Sequence, residues 1–301
     1  MQGNTDANRV STLSDEEADV LSVDRRMREI AALDLGLGSR KTRTASNAAL
    51  YHLQSGGNRT RARLCILACL KLGVFREDAI NLGACVELLH NASLIHDDLQ
   101  DHERERHGVE SVWCKFSPAI AICAGDLLIS SAYSVLASFS KPHLIPTLIS
   151  AVHRCVALAI HGQCEDLESS NPFELPLETY SSIVKAKSGA LLSLPLELAL
   201  IASENFLSLN TAKKAAEDFS VGYQISDDLQ DIEQDSASNG KPASLNVYLI
   251  MQRHSNEAMA KETVRSLGRS YFNSAFELAG TLPHQSGQYL QKLAHEMVTF
   301  L

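Results

Sequence analysis

Apolar residues recur every three or four positions along most of this 301-residue chain, the spacing that gathers them on one face of an α-helix. The first such stretch runs from Asp15 to about Leu35 and ends at Gly36 and Gly38; residues 1–12 before it are polar and predicted to be a flexible lead-in. A short helix is predicted over Ala45–Leu53, stopped by Ser55-Gly56-Gly57, and another over Arg61–Leu72, with Gly73 as its C-terminal stop. Residues 78–104 read as one long helix, apolar for most of its length and charged at its end. Helices over Pro118–Phe139, Pro146–Gly162, Leu177–Ser203 and Thr211–Gln234 follow, with Pro195 expected to kink the third of these. The tail Asn256–Leu301 holds two or three more. Strand patterns bounded by hairpin turns are missing, as are Pro/Gly/Ser linkers and internal repeats of roughly 20–50 residues. The pattern predicts a single all-α domain over residues 1–301.

Composition adds exclusions. Hydrophobic residues are 45% and charged residues 21%, enough apolar side chain to offset ordering entropy, so a disordered chain is excluded. The net charge of −9 argues against a protein that tracks nucleic-acid phosphates. The seven cysteines, at 65, 69, 85, 114, 123, 155 and 164, include no C-x-x-C pair. Cys65 and Cys69 fall in an apolar helical stretch and read as small core residues, which points to a reducing compartment and a cytoplasmic location. The N-terminal stretch lacks an apolar signal core, and no run of 18 apolar residues occurs; residues 189–203 come closest but are interrupted by Pro195 and Glu197. A transmembrane segment is therefore not expected.

The chemistry is concentrated in a pentapeptide that occurs twice, Asp97-Asp98-Leu99-Gln100-Asp101 and Asp227-Asp228-Leu229-Gln230-Asp231, each at the end of a predicted helix. At i and i+4, Asp97 and Asp101 share a face, as do Asp227 and Asp231. Stacked carboxylates at a helix C-terminus repel each other and oppose the macrodipole, so each cluster calls for a cation. Carboxylate oxygens suit Mg²⁺, which keeps open positions for phosphate oxygens when few carboxylates hold it. The six aspartates are thus candidate metal ligands, and the expected substrate is a phosphate or diphosphate ester. Candidates for a basic wall are the Gly56-Gly57-Asn58-Arg59-Thr60-Arg61 turn, Arg104, Arg106, Lys185, Lys187 and Lys241. Trp113 reads as a packing or interface residue, His143, His153 and His161 lack metal-ligand spacing, and His96 adjoins the first acidic motif.

The chain resembles the trans-polyprenyl diphosphate synthases. YHLQSGGNRTRA at 51–62 resembles the family's Gly-Gly-Lys-Arg-x-Arg-Pro segment, and HNASLIHDDLQD followed by ERERHG resembles the first Asp-rich motif with its Arg-Arg-Gly. AGDLL at 124–128, GQCED at 162–166, KSG at 187–189 and GYQISDDLQD at 222–231 match in order and spacing. The resemblance implies the isoprenoid synthase fold, a helical bundle around a metal-lined cavity. It implies that three Mg²⁺ ions bridge Asp97, Asp98, Asp101, Asp227, Asp228 and Asp231 to an allylic diphosphate, that this ionises, and that isopentenyl diphosphate attacks the cation. It assigns Arg106, Lys187 and Lys241 to the allylic diphosphate, Ser188 to substrate binding, Gln224 to a position facing the substrates, and Arg61 and His90 to isopentenyl diphosphate. It also implies a homodimer, with at most transient membrane contact.

Three departures bear on the second substrate. The family's Lys after Gly-Gly is Asn58, the second Arg of Arg-Arg-Gly is His107, and the loop after Lys241 is shortened and lacks a further Lys. Head-to-tail elongation of an allylic diphosphate remains the expected reaction. The alternatives are a terpene cyclase or allylic diphosphate lyase on the same fold, which dispenses with isopentenyl diphosphate, and a non-catalytic subunit of a heteromeric synthase. The positions that line the tail pocket in the family are Leu89, Ala92 and Ser93 here. The last two are small, which points to geranylgeranyl or longer products.

Overall fold

A computed structural model describes residues 14–32, 44–168, 175–232, 245–253 and 255–301. Its helices in chain order are α1 (Asp15–Ala31), α2 (Thr44–Gln54), α3 (Thr60–Lys71), α4 (Arg76–Gln100), α5 (Val112–Lys115), α6 (Pro118–Leu136), α7 (Ile145–Glu168), α8 (Leu177–Val184), α9 (Ala190–Ala202), α10 (Leu209–Gln230), α11 (Val247–Gln252), α12 (Glu257–Gly280) and α13 (Gln288–Phe300). The fold is the all-α bundle that the apolar periodicity predicts. Local chemistry sets several of its boundaries. Ser14 and Glu17 form a reciprocal capping box at the start of α1, satisfying two backbone N–H groups that a helix start leaves unpaired. Asn246 caps α11 by accepting from the N–H groups of Tyr248 and Leu249.

The long helix α4 is the axis of the bundle. Its 25 residues span about 37 Å at 1.5 Å per residue, and from Leu82 to Leu89 every residue is buried. It packs against α1, α3, α6 and α9. A helix apolar on all sides needs neighbours on all sides, so the main core forms around it. A smaller cluster of Tyr180, Val184, Val221, Ile225, Val247, Tyr248, Leu249, Ile250, Ala260 and Val264 joins α8, α10, α11 and α12 beside the second acidic motif. Cys65 and Cys69 lie fully buried in the main core, as expected.

The structure departs from the predicted elements in two places. The predicted helix over 78–104 ends at Gln100, and the chain then forms a two-stranded antiparallel hairpin of β1 (Glu105–Arg106) and β2 (Val109–Glu110). Strands of two residues are too short to show alternation, which is why the sequence pattern misses them. The predicted helix over 177–203 contains a π-turn at Lys185–Gly189, while α9 continues through Pro195. The break from α-geometry thus lies upstream of the proline. α6 and the stretch Pro142–Glu168 reach membrane-span apolarity by composition, with 44% and 28% of their most apolar windows buried. Small residues such as Ala, Ser and Gly spread that apolarity without a continuous run. The lead-in at 1–12, the helix stop at Gly36 and Gly38, and Lys241 fall outside the described residues.

Candidate active site

The last turns of α4 and α10 each present an acidic pentapeptide to one end of the bundle, and the structure divides the six aspartates into two kinds. Asp97 lines one chamber of the site and Asp227 another, and Asp101 and Asp231 follow each by one turn at the helix ends. Burial pushes the carboxyls of Asp97 and Asp227 up to about 6, with Asp231 adding repulsion at Asp227; at Asp97 the nearby Lys187 pulls the other way. Asp98 and Asp228 face inward instead, each 1% exposed. Asp98 Oδ1 accepts from Arg106 Nε at 2.7 Å and Nη2 at 2.5 Å, while its Oδ2 is buried without a hydrogen-bond partner. Asp228 accepts from the Tyr180 hydroxyl at 2.8 Å, the Val247 N–H at 2.7 Å and Gln224 Nε2 at 2.9 Å. Its Oδ2 thereby holds α8 and α11 against α10, and its Oδ1 is taken by Gln224 one turn earlier on α10 itself.

The first chamber, about 370 Å³, lies between α4, α6, α7 and α9. Its polar end carries Asp97, Gln100, Gln163, Lys187 and Ser188, and its remainder is walled by apolar residues including Leu89, Ala92, Ile129, Val156 and Leu191. Lys187 donates to Asp166 at 2.5 Å, and that carboxylate, with Asp97 and Asp101, raises its affinity for a proton. The π-turn sets its direction. Lys187 enters the chamber, whereas Lys185, two residues earlier, turns away to within 3.7 Å of Asp218 and over the Tyr271 ring. The three predicted tail-pocket positions, Leu89, Ala92 and Ser93, all line this chamber.

The second chamber, about 470 Å³, is built by the Gly56–Arg61 turn, Glu87, His90, Asn91, Arg106, His107, Tyr223, Gln224 and Asp227. Gly56 and Gly57 adopt φ of +92° and +122°, where a side chain is strained. Arg59 holds that turn closed. Its guanidinium donates to Asp24 Oδ1 at 2.7 Å, to the Gly56 carbonyl at 2.9 Å and to the Leu53 carbonyl at 3.3 Å. It is thereby consumed as a clasp, although the sequence placed it in a basic wall. Arg61 differs. It lines both chambers, its Nε is buried without a partner, and Glu87 is the carboxylate that partly offsets its desolvation. His90 also lines both chambers, and burial, followed by the charge of Arg61, drives its imidazole well below the usual range, so it is neutral at pH 7. Asn58 and His107 face this second chamber, as their motif positions imply.

A cavity with carboxylates on one side and cations on the other fits a cation-bridged anion. Among the described residues no three His, Cys, Asp or Glu side chains form a closed metal cage. The donors are separate carboxylates, with one buried orphan oxygen on Asp98 and two carboxyls that burial leaves undercompensated. That donor set fits Mg²⁺, which takes oxygen ligands and completes its shell with water and phosphate. Of the other sequence candidates, Arg104 stacks over Trp113 at 5.8 Å, Trp113 donates to the Glu103 carbonyl, and His96 packs on Gly125 next to Asp126. The sequence reading took in Gln163 and Asp166 only as part of the GQCED stretch, without a role, and missed the supporting residues Glu87, Tyr180 and Asn246. A carboxylate inside the apolar run LGACVELLH was the available signal for Glu87; Tyr180 and Asn246 had none.

The polyprenyl synthetase family model matches residues 42–261. A geranylgeranyl diphosphate synthase from Sulfolobus acidocaldarius is 31% identical over 199 residues, 64% of this chain and 60% of that protein. A short chain isoprenyl diphosphate synthase from Methanocaldococcus jannaschii is 31% identical over 205 residues, 67% of this chain and 62% of that protein. The chain thus spans about three fifths of the length of these relatives. Among solved structures, a geranylgeranyl pyrophosphate synthetase from Geoglobus acetivorans superposes with a TM-score of 0.79 at 23% identity, covering 95% of this chain and 99% of the other. A geranyltranstransferase from Thermotoga maritima gives 0.77 at 25% identity, covering 96% and 100%.

Proposed function

On the premise that the chain belongs to the polyprenyl synthetase family, we propose that it is a Mg²⁺-dependent prenyltransferase joining an allylic diphosphate to isopentenyl diphosphate, giving an all-trans prenyl diphosphate of geranylgeranyl length or longer. The observation that carries this is the pair of chambers meeting at Arg61, His90, Leu94 and Ser188. One is largely apolar with an acidic mouth; the other is the more polar of the two, with a cationic wall. Two substrates seated in them meet at that junction.

Asp97, Asp101, Asp227 and Asp231 would hold the Mg²⁺ ions, three by family analogy, with Asp98 adding its orphan oxygen. When bound, Mg²⁺ neutralises the leaving diphosphate. Lys187, fixed by Asp166 in the first chamber, would bind that diphosphate, and Arg106, which lines the second chamber and is fixed by Asp98, is assigned to it by its motif. Lys241, outside the described residues, completes the set by its motif. The apolar wall of Leu89, Ala92, Ile129, Val156 and Leu191 keeps water from the allylic cation, and small Ala92 and Ser93 leave the tail room. Arg61 supplies an underused cation for isopentenyl diphosphate, and Gln224, oriented by Asp228, faces the second chamber beside Asp227. A homodimer, a cytoplasmic setting and no more than transient membrane contact belong to the same proposal.

Asn58 and His107 give the lyase alternative its one specific support, since each replaces a cation in the second chamber. Restoring both, with Asn58→Lys and His107→Arg, is the test. On the prenyltransferase reading the KM for isopentenyl diphosphate falls about tenfold or more, as a regained charge-assisted hydrogen bond implies, while the KM for the allylic substrate stays unchanged. An unaltered KM for isopentenyl diphosphate contradicts the assignment of the second chamber.

A further inference from the structure

Gln163 occupies the polar end of the first chamber with an incomplete set of partners. The residue is 9% exposed. Its Nε2 donates to Gln100 Oε1 at 3.0 Å, while its Oε1 is buried with no partner. A buried amide carbonyl without a donor is unfavourable in the resting protein, and such groups in native structures call for an explanation. Its height along the bundle offers one. Gln163 precedes Asp166 by three residues on α7, so it sits about 4.5 Å nearer the apolar end than the carboxylate that holds Lys187. Gly162 allows α7 to approach the π-turn so closely that a Cβ there would lie 2.4 Å from the Lys187 backbone nitrogen, and Gln163 lines the chamber together with Lys187 and Ser188. Gln100, its hydrogen-bond partner, belongs to the first acidic motif, so the amide is tied to that turn as well.

We propose that the Gln163 carbonyl is a preorganised dipole of the chamber wall that stabilises positive charge developing at the reacting end of the prenyl chain. This rests on the prenyltransferase reading, which places an allylic cation just below the diphosphate site and so at this level. The negative end of the amide dipole lies in a water-poor wall, where its field is weakly screened. Leaving it without a donor preserves the field for the moment of ionisation, so that no reorganisation is needed then. Asp97 is close at hand, but its charge is drawn on by metal and Lys187; an uncharged carbonyl stabilises the cation without capturing it as an ester. The wall residue acts on the carbon skeleton, whereas the lysine and arginines act on the departing diphosphate.

The test compares two unreactive probes in the presence of Mg²⁺, an ammonium diphosphate that mimics the allylic cation and a neutral thiolodiphosphate of the same prenyl length. Gln163→Leu keeps the size of the side chain and removes the dipole. Its Kd for the ammonium probe is expected to rise about tenfold, the scale of one lost polar interaction, with the thiolodiphosphate Kd within about twofold of native. kcat should fall with the allylic KM unchanged, and Gln163→Asn, which retains a carbonyl one methylene back, should recover part of both effects. Equal weakening of both probes means that Gln163 only shapes the chamber, and unchanged binding of both means that it is inert; either result overturns the proposal. Native protein that binds neither probe overturns the prenyltransferase reading itself and this inference with it, an outcome separable from the other two because it needs no variant.

Discussion

Asp228 commits both carboxylate oxygens to Tyr180, Val247 and Gln224, while Asp227, one residue earlier, faces the second chamber with its carboxyl pushed up to about 6. A sequence motif treats the two as equals, and only the packing of α8 and α11 separates them. The separation predicts opposite responses to the same substitution. Asp228→Asn puts an amide N–H against a donor and should destabilise the fold by about 1–3 kcal/mol. Asp227→Asn should leave the fold at least as stable and lower kcat on the order of 100-fold, the scale of losing one electrostatic stabiliser. Thermal melts and steady-state rates check both. The pH dependence has a definite sign. Folded protein holds the Asp227 proton to about pH 6, against an ordinary value of 3.8, so that carboxyl's stabilising contribution is full below about pH 4 and is lost as pH rises through 6. Asn has no such loss. The metal-free stability of Asp227→Asn relative to native should therefore rise across that window.

At the scale of elements, the long helices were legible because burial imposes the 3.6-residue period on their side chains. The two acidic helix ends were legible because charge repulsion needs a reason. What escaped was geometry produced by contact between elements. The hairpin after α4 is too short to carry a pattern, and it exists to bring Arg106 back to Asp98. The π-turn adds a residue to a turn and so rotates Lys187 into the chamber and Lys185 out of it. That rotation depends on α7 approaching without a side chain at 162. Gly162→Ala would place a methyl group 2.4 Å from the Lys187 backbone nitrogen and 2.8 Å from the Ala186 carbonyl carbon. It should destabilise the protein by about 1–3 kcal/mol, as overpacking does, and should lower activity further by displacing Lys187. A variant with native melting temperature and native kcat would show that the turn does not depend on this contact.

Over the whole molecule, the bundle keeps its chemistry at one end and its apolar depth along α4. The acidic motifs, the Gly-Gly turn and the Lys187 turn come from four distant parts of the sequence, and the helices bring them to two adjoining chambers. The motifs made that convergence readable in advance. The residues that support them, Glu87 under Arg61, Asp166 on Lys187 and Tyr180 on Asp228, became visible only in three dimensions. Two chambers mean two substrates. The most direct measurement is the product spectrum of purified protein with Mg²⁺ and dimethylallyl, geranyl, farnesyl or geranylgeranyl diphosphate, each with and without isopentenyl diphosphate, read by mass spectrometry. Prenyl diphosphates extended by five-carbon units, reaching geranylgeranyl length or beyond and formed only when isopentenyl diphosphate is present, are the predicted result. Diphosphate release from an allylic substrate alone, with a hydrocarbon or alcohol as product and no extension when isopentenyl diphosphate is added, would contradict it.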